Sequence, residues 1–322
     1  MQNKKSIMTF SALQILIFHL WIYILNNNEI EIFLKQTSYI GVDIFFLISA
    51  YSLASRNVDH YGKFLLFRFK AVYLKFIIFA VVATIYSHWS LIRLLSVISG
   101  VELFKKGGGA FLWFIPAIML FYIIFPLFQQ CENKYKTLTP LAIIIIIWIV
   151  IALIITTNKE LNHLAIVWNR IPIFIFGYYI SKLNSKTNIF DNKTFKTITG
   201  IMLLIIGTVL IYNFAYKIKL QTPFKDTFYL VVIISSIGLV MLLSNIPEIR
   251  LTRWIGSSTL EIYAIQMIFG YNIANKLILI IKNKIVLNIV IIAIIVAISV
   301  IIHYSYEYIT MYIERRRKKN VI

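Results

Sequence analysis

Four polar side chains interrupt apolar stretches of this 322-residue chain: His19 in LQILIFHLW, Asp43 in YIGVDIFFLISAYSL, Arg170 in IVWNRIPIFIFG and Gln266 in STLEIYAIQMIFGY. An ionisable group at bilayer depth costs a few kcal/mol and faces a partner or a watery cavity. These residue types suit acyl transfer to a hydroxyl. A neutral imidazole, with an unperturbed pKa of about 6.5, can act as a base at physiological pH. A carboxylate on its other ring nitrogen fixes the tautomer, and a nearby cation or amide can stabilise an oxyanion. On this reading His19 deprotonates the hydroxyl, Asp43 orients His19, and Arg170 with Gln266 stabilises charge at the acyl carbon. The same residues admit a second reading: an Asp43–Arg170 salt bridge that fixes helix packing, with His19 and Gln266 as interior hydrogen-bonders.

The elements that must carry them follow from composition. The chain is 60% hydrophobic and 14% charged, well above the roughly 45–50% apolar content of soluble domains. An all-α, polytopic integral membrane protein is expected. Ten apolar runs reach the roughly 17–25 residues a span needs, at about 8–26, 38–55, 69–88, 111–130, 138–157, 163–182, 197–216, 227–245, 255–273 and 286–312. A further run, Leu91 to Leu103, is too short to span and is expected in the interface, before a flexible KKGGG hinge at 105–109. Alternating loops then divide the 32 Lys and Arg into 20 on the side of the N-terminus and 11 on the other, with Arg170 inside a span. That asymmetry predicts both termini in the cytoplasm. It also sets His19, Asp43, Arg170 and Gln266 at one level, each about five to seven residues below the outer surface, or roughly 7–10 Å at the helical rise.

Other features have blander readings. The formal net charge of +19 fits inner loops facing anionic lipid, so no nucleic-acid partner is expected. Cys131 is the single cysteine and makes no internal disulfide. The N-terminal segment lacks a small-residue cleavage site and reads as a retained first span. Residues 1–322 are expected to form a single membrane-embedded domain with no attached soluble domain. His303 and Glu307 share a helix face and read as a packing pair, and Glu261 is expected to face the interior. His60, His88 and His163 show no ligand spacing, so no metal is expected. RRRKK at 315–319 anchors the chain end at the inner leaflet. Abundant Ile, Asn and Lys hint at an AT-rich bacterial genome.

With these residues in view, the chain resembles the membrane acyltransferases of the acyltransferase 3 type, which include O-acetyltransferases of bacterial cell-surface polysaccharides. LQILIFHLW resembles the family's first span ending in histidine. The block Gly41, Val42, Asp43, Phe45, Phe46 and Ser49 is similar to the opening of its second span. FLWFIPAIMLFYIIFPLF, with Trp113, Tyr122 and Pro126, looks like its tryptophan, tyrosine and proline span. RIPIFIFGYYI and IGSSTLEIYAIQ resemble a middle and a late segment. The resemblance covers nearly the whole chain. It implies a multi-pass plasma-membrane enzyme that moves an acyl group, usually acetyl from cytoplasmic acetyl-CoA, to a hydroxyl of a surface glycan or its lipid-linked precursor. It assigns catalysis to His19, donor binding to Arg68 and Lys70, and a place in the substrate site to Trp113. The chain departs from the family at Met8, where many members carry arginine, at Ala71 and Ala50, and at Gln266, which stands in place of the late histidine. Two other readings stay open: a polysaccharide exporter or flippase component, and a member that has lost activity.

Overall fold

In the computed structural model, residues 3–24, 34, 37–56, 58, 60–135, 139–187, 192–217 and 228–319 are described. They are almost entirely helical, with no strand among them. The chain opens with α1 (Lys4–Ile24) and α2 (Ile40–Ala54). Next come α3 (Tyr61–Arg68), a π-helical turn (Phe69–Tyr73) and α4 (Leu74–Ser87), which run on without a break. The short α5 (Leu91–Ile98) and α6 (Val101–Lys106) precede α7 (Phe114–Tyr135) and α8 (Thr139–Thr157). After the single turn α9 (Ala165–Trp168) come α10 (Ile171–Thr187), α11 (Lys193–Ile211) and α12 (Phe228–Leu243). The chain closes with α13 (Arg250–Ser257), α14 (Thr259–Leu277) and α15 (Lys284–Lys319).

Among the described residues helices lie in each of the ten expected segments, and four are long and apolar enough to cross a membrane: Phe114–Lys134, Asn162–Thr187, Lys193–Phe214 and Lys284–Ile313. Shorter apolar helices lie at Ile40–Ala54, Leu141–Thr157 and Leu230–Leu243. In the crossing helices at 193–214 and 284–313 only 17% and 22% of the most apolar stretch is buried. What they expose is Ile, Leu, Val and Met, among them Ile201, Met202, Ile205, Ile289 and Ile301. In water such a surface would aggregate; in lipid it is the solvated face.

Backbone contact at small residues brings the site-bearing helices together. A Cβ on Gly41 of α2 would lie 2.6 Å from the Ser11 carbonyl oxygen of α1, and one on Gly177 of α10 would lie 2.4 Å from the Leu47 carbonyl oxygen of α2. Small residues at membrane helix crossings permit this approach, where packing rather than the hydrophobic effect drives association. Gly177→Leu is therefore expected to pry α10 from α2 and lower stability by about 1–3 kcal/mol or more. A thermal midpoint in detergent unchanged from wild type would contradict that packing.

The segment expected to lie in the interface forms α5 and α6, opened by Ser90, whose Oγ accepts the Arg93 N–H at 3.3 Å. The first of the glycines that follow is packed rather than hinge-like: Gly107 has φ +52° and sits against the His163 carbonyl, 1.8 Å from where its Cβ would be. His163 Nε2 is 2.7 Å from the Phe104 carbonyl. Sequence alone shows that a glycine can bend there, not that a neighbouring backbone occupies the space of its side chain.

Candidate active site

A cavity of about 220 Å³ runs between α1, α2, the π-turn, α7 and α14. Lys4, Met8, Ala12, Ile15 and His19 line it from α1, at spacings of three and four that place them on one helical stripe. From α2 come Val42, Phe45, Ser49 and Ser52, and from α14 Thr259, Tyr263 and Gln266. The walls are chiefly apolar, and the polar groups collect at the two ends: Lys4 and Arg68 at one, His19 and Gln266 at the other. Fifteen residues separate Lys4 from His19, so the slot follows α1 for about 22 Å.

Gln266 is 6% exposed, and neither its Nε2 nor its Oε1 has a hydrogen-bond partner. An unpaired buried carboxamide costs on the order of 1–3 kcal/mol. Its side chain belongs to the wall of the cavity that also holds the His19 imidazole. His19 is half-buried at the same end, with the Phe18 ring edge-on at 5.1 Å.

Asp43 and Arg170 meet, but not in the cavity. Arg170 Nε lies 3.4 Å from Asp43 Oδ1, with both side chains excluded from solvent at 1% and 0% exposure. No hydrogen bond joins Asp43 to His19, so the expected Asp–His contact is not formed. The reason is helical rotation: Val42 and Phe45 turn toward the slot, and Asp43, between them, turns toward α10. Reciprocal bonds from each indole N–H of Trp148 and Trp168 to the other's carbonyl, at 3.1 and 3.0 Å, fix the turn before Arg170. The guanidinium carbon then sits 5.9 Å from the Trp113 ring centroid. Trp113 itself lines the cavity, so the ion pair lies one side chain behind the cavity wall.

Trp113 is held from its other side by a strained turn. Leu112, fully buried, has φ +47°, a left-handed conformation that costs a non-glycine residue about 1–3 kcal/mol. Glu102 secures it: Oε2 accepts the Phe111 N–H at 3.1 Å, while Oε1 accepts from Lys106 Nζ at 2.7 Å and lies 3.5 Å from Arg93 Nε. Burial pushes the Glu102 carboxyl up, but the Lys106 and Phe111 hydrogen bonds, with the charges of Lys106 and Arg93, outweigh it and hold it below the ordinary glutamate value. A depressed carboxyl adds stability above its unfolded pKa and loses it as pH falls through the folded one. The turn should therefore loosen below about pH 4.5, the ordinary glutamate value. Glu102→Gln should flatten that part of the stability profile, and a profile identical to wild type would refute the role.

The two expected donor-binding residues separate. Arg68 lines the cavity, its guanidinium carbon 4.8 Å from the Tyr122 ring centroid and 5.4 Å from that of Phe64. The π-turn that starts at Phe69 is a device common at functional sites. Lys70 is exposed and lines no part of the cavity. Residues two apart on a helix face different sides, so Lys70 lies off the stretch of wall that Arg68 lines. Lys4, which motif reading passed over, lies at that end instead; its stripe spacing to His19 was the available signal. A larger cavity of about 740 Å³, lined among others by Tyr51, Asn184, Lys193, Lys196 and Asn245, contains none of the expected residues.

Away from the cavity, Lys75 Nζ and His303 Nδ1 converge on Glu261 Oε1 at 2.6 and 3.0 Å, and His303 Nε2 lies 3.2 Å from Glu307. The expected His303–Glu307 pair is thus one edge of a cluster joining α4, α14 and α15.

The structure thus sets an imidazole and two cations along the wall of one internal cavity of a helical protein. The model of the acyltransferase 3 family, described as an acyltransferase domain, matches residues 6–304, and the chain belongs to that family. No curated protein and no solved structure matches it.

Proposed function

We propose that this acyltransferase moves an acetyl group from cytoplasmic acetyl-CoA to a hydroxyl of a cell-surface polysaccharide or its lipid-linked precursor. The observation that carries the reading is the single cavity that joins His19 and the unpartnered Gln266 carboxamide to the basic end at Arg68. It fits a plasma-membrane protein of ten spans with both termini in the cytoplasm, because the basic end then opens where the donor is made. The slot suits an elongated thioester donor: an anionic head at Arg68, an apolar-walled passage, and the acyl carbon between His19 and Gln266.

His19 takes the proton of the acceptor hydroxyl as its oxygen attacks the thioester carbonyl. Gln266 Nε2 donates a hydrogen bond to the carbonyl oxygen as negative charge gathers there. His19 then gives its proton to the departing sulfur, leaving an ester and a free thiol. Trp113 shapes the acceptor side of the cavity, and Asp43 with Arg170 contributes to catalysis by holding Trp113 rather than by touching His19.

The reading is tested with membranes given labelled acetyl-CoA, with and without the protein, followed by release of glycan label by mild alkali as expected for O-esters. Protein-dependent, alkali-labile label is expected. Equal label in both samples would overturn it and bring the exporter reading forward.

A further inference from the structure

The basic end of the cavity holds more positive charge than its surroundings neutralise. Arg68 Nε is buried without a hydrogen-bond partner, and its guanidinium packs against Tyr122 and Phe64, which fix it without cancelling its charge. Lys4 Nζ donates to the neutral Ser52 Oγ at 2.9 Å. Among the described residues no carboxylate forms an ion pair with either. Burial, with Lys5, Arg68 and Arg56 nearby, pulls the Lys4 ammonium below the usual lysine value. Two cations facing one apolar-walled slot with no counter-charge are costly unless an anion joins them. Slots lined by one sign of charge also concentrate ligands of the opposite sign.

Resting on the acyl-CoA reading above, in which Arg68 takes the donor's anionic end, we propose that Lys4 is a second cation on the same phosphoryl group, exchanging its Ser52 hydrogen bond for one to phosphate oxygen. This two-cation clamp is built from residues of different helices. Arg68, at the end of α3, is set by its aromatic neighbours, and Lys4 reaches across from the stripe of α1 that also carries His19. The spacing along that stripe lets one helix hold the donor's anionic end and its reacting end together.

The test measures binding of two ligands to the full chain in phosphatidylcholine nanodiscs: acetyl-CoA, and S-acetylpantetheine, which keeps the thioester arm and lacks phosphate. Wild type is expected to prefer acetyl-CoA. Lys4→Ala should weaken acetyl-CoA by about tenfold or more, the size of one charge-assisted hydrogen bond, and so narrow the preference, whereas Lys4→Arg keeps it. Met8 lies one turn higher on the same stripe, so Lys4→Ala with Met8→Lys should recover part of the preference. Equal loss of both ligands in Lys4→Ala would make Lys4 a packing residue and overturn the clamp, as would no loss at all. Wild-type protein that binds both ligands equally would overturn the clamp alone, leaving the acyl-CoA reading intact. Wild-type protein that binds neither would overturn that reading and the clamp with it. If adding phosphatidylglycerol erases the wild-type preference, a lipid headgroup occupies the cations and the donor assignment is overturned.

Discussion

His19→Ala is expected to lower acyl transfer by about 10²–10⁴-fold, the usual contribution of a positioned general acid–base, while the protein still folds, inserts and binds acetyl-CoA. His19 makes no ion pair or side-chain hydrogen bond among the described residues, and it is half-buried at the wall of a cavity. Its loss removes little packing. The reaction needs the imidazole twice, once to take the hydroxyl proton and once to return it to sulfur. The deficit should therefore fall on kcat, with the KM for acetyl-CoA nearly unchanged, since the donor's anionic end lies about 22 Å away along α1. A His19→Ala protein with wild-type kcat would remove His19 from the mechanism. A variant whose KM rose with kcat unchanged would make it a binding residue.

Arg170→Leu should be the most destabilising single change near the site, by about 3–5 kcal/mol, because it leaves the Asp43 carboxylate buried without its cation. Asp43 is 0% exposed, and neither of its oxygens has a conventional hydrogen bond. Asp43→Leu with Arg170→Leu should recover most of the lost stability, since apolar replacement of a whole buried pair is often neutral or better. The strong non-additivity, read from thermal midpoints of the four proteins, measures the coupling. The same four proteins separate two roles for the pair. If it acts by holding Trp113, the double variant is folded and retains reduced but measurable transfer. A folded double variant as inactive as His19→Ala would place Arg170 in direct contact with the reacting atoms.

The sequence carried the helical, membrane-type character of the chain through composition alone, because a chain this apolar cannot remain in water. Matching depths and motif order singled out His19, Gln266, Arg68 and Trp113, which line one cavity. Depth, however, is only one of three coordinates. Asp43 and His19 were expected as partners because they share a level, but helix rotation turns Asp43 to α10 and sets it against Arg170. Lys70 was chosen as the nearest basic substitute in the chain, and it lies exposed in the π-turn, off the cavity wall that Arg68 lines. Lys4 was legible only through its spacing to His19, a pattern that acquires meaning once α1 is known to line a cavity with that face. The charged cluster at Glu261 depends on the packing of α4, α14 and α15, which no local pattern encodes.

The central claim is that acyl-CoA occupies the slot from Arg68 to His19. A cryo-EM structure of the full chain with a non-hydrolysable acetyl-CoA analogue tests it most directly. The account predicts density along α1, with phosphate at Lys4 and Arg68 and the acetyl carbonyl within hydrogen-bond reach of Gln266. Density in the larger cavity at Lys193 and Lys196, with the slot empty, would contradict it.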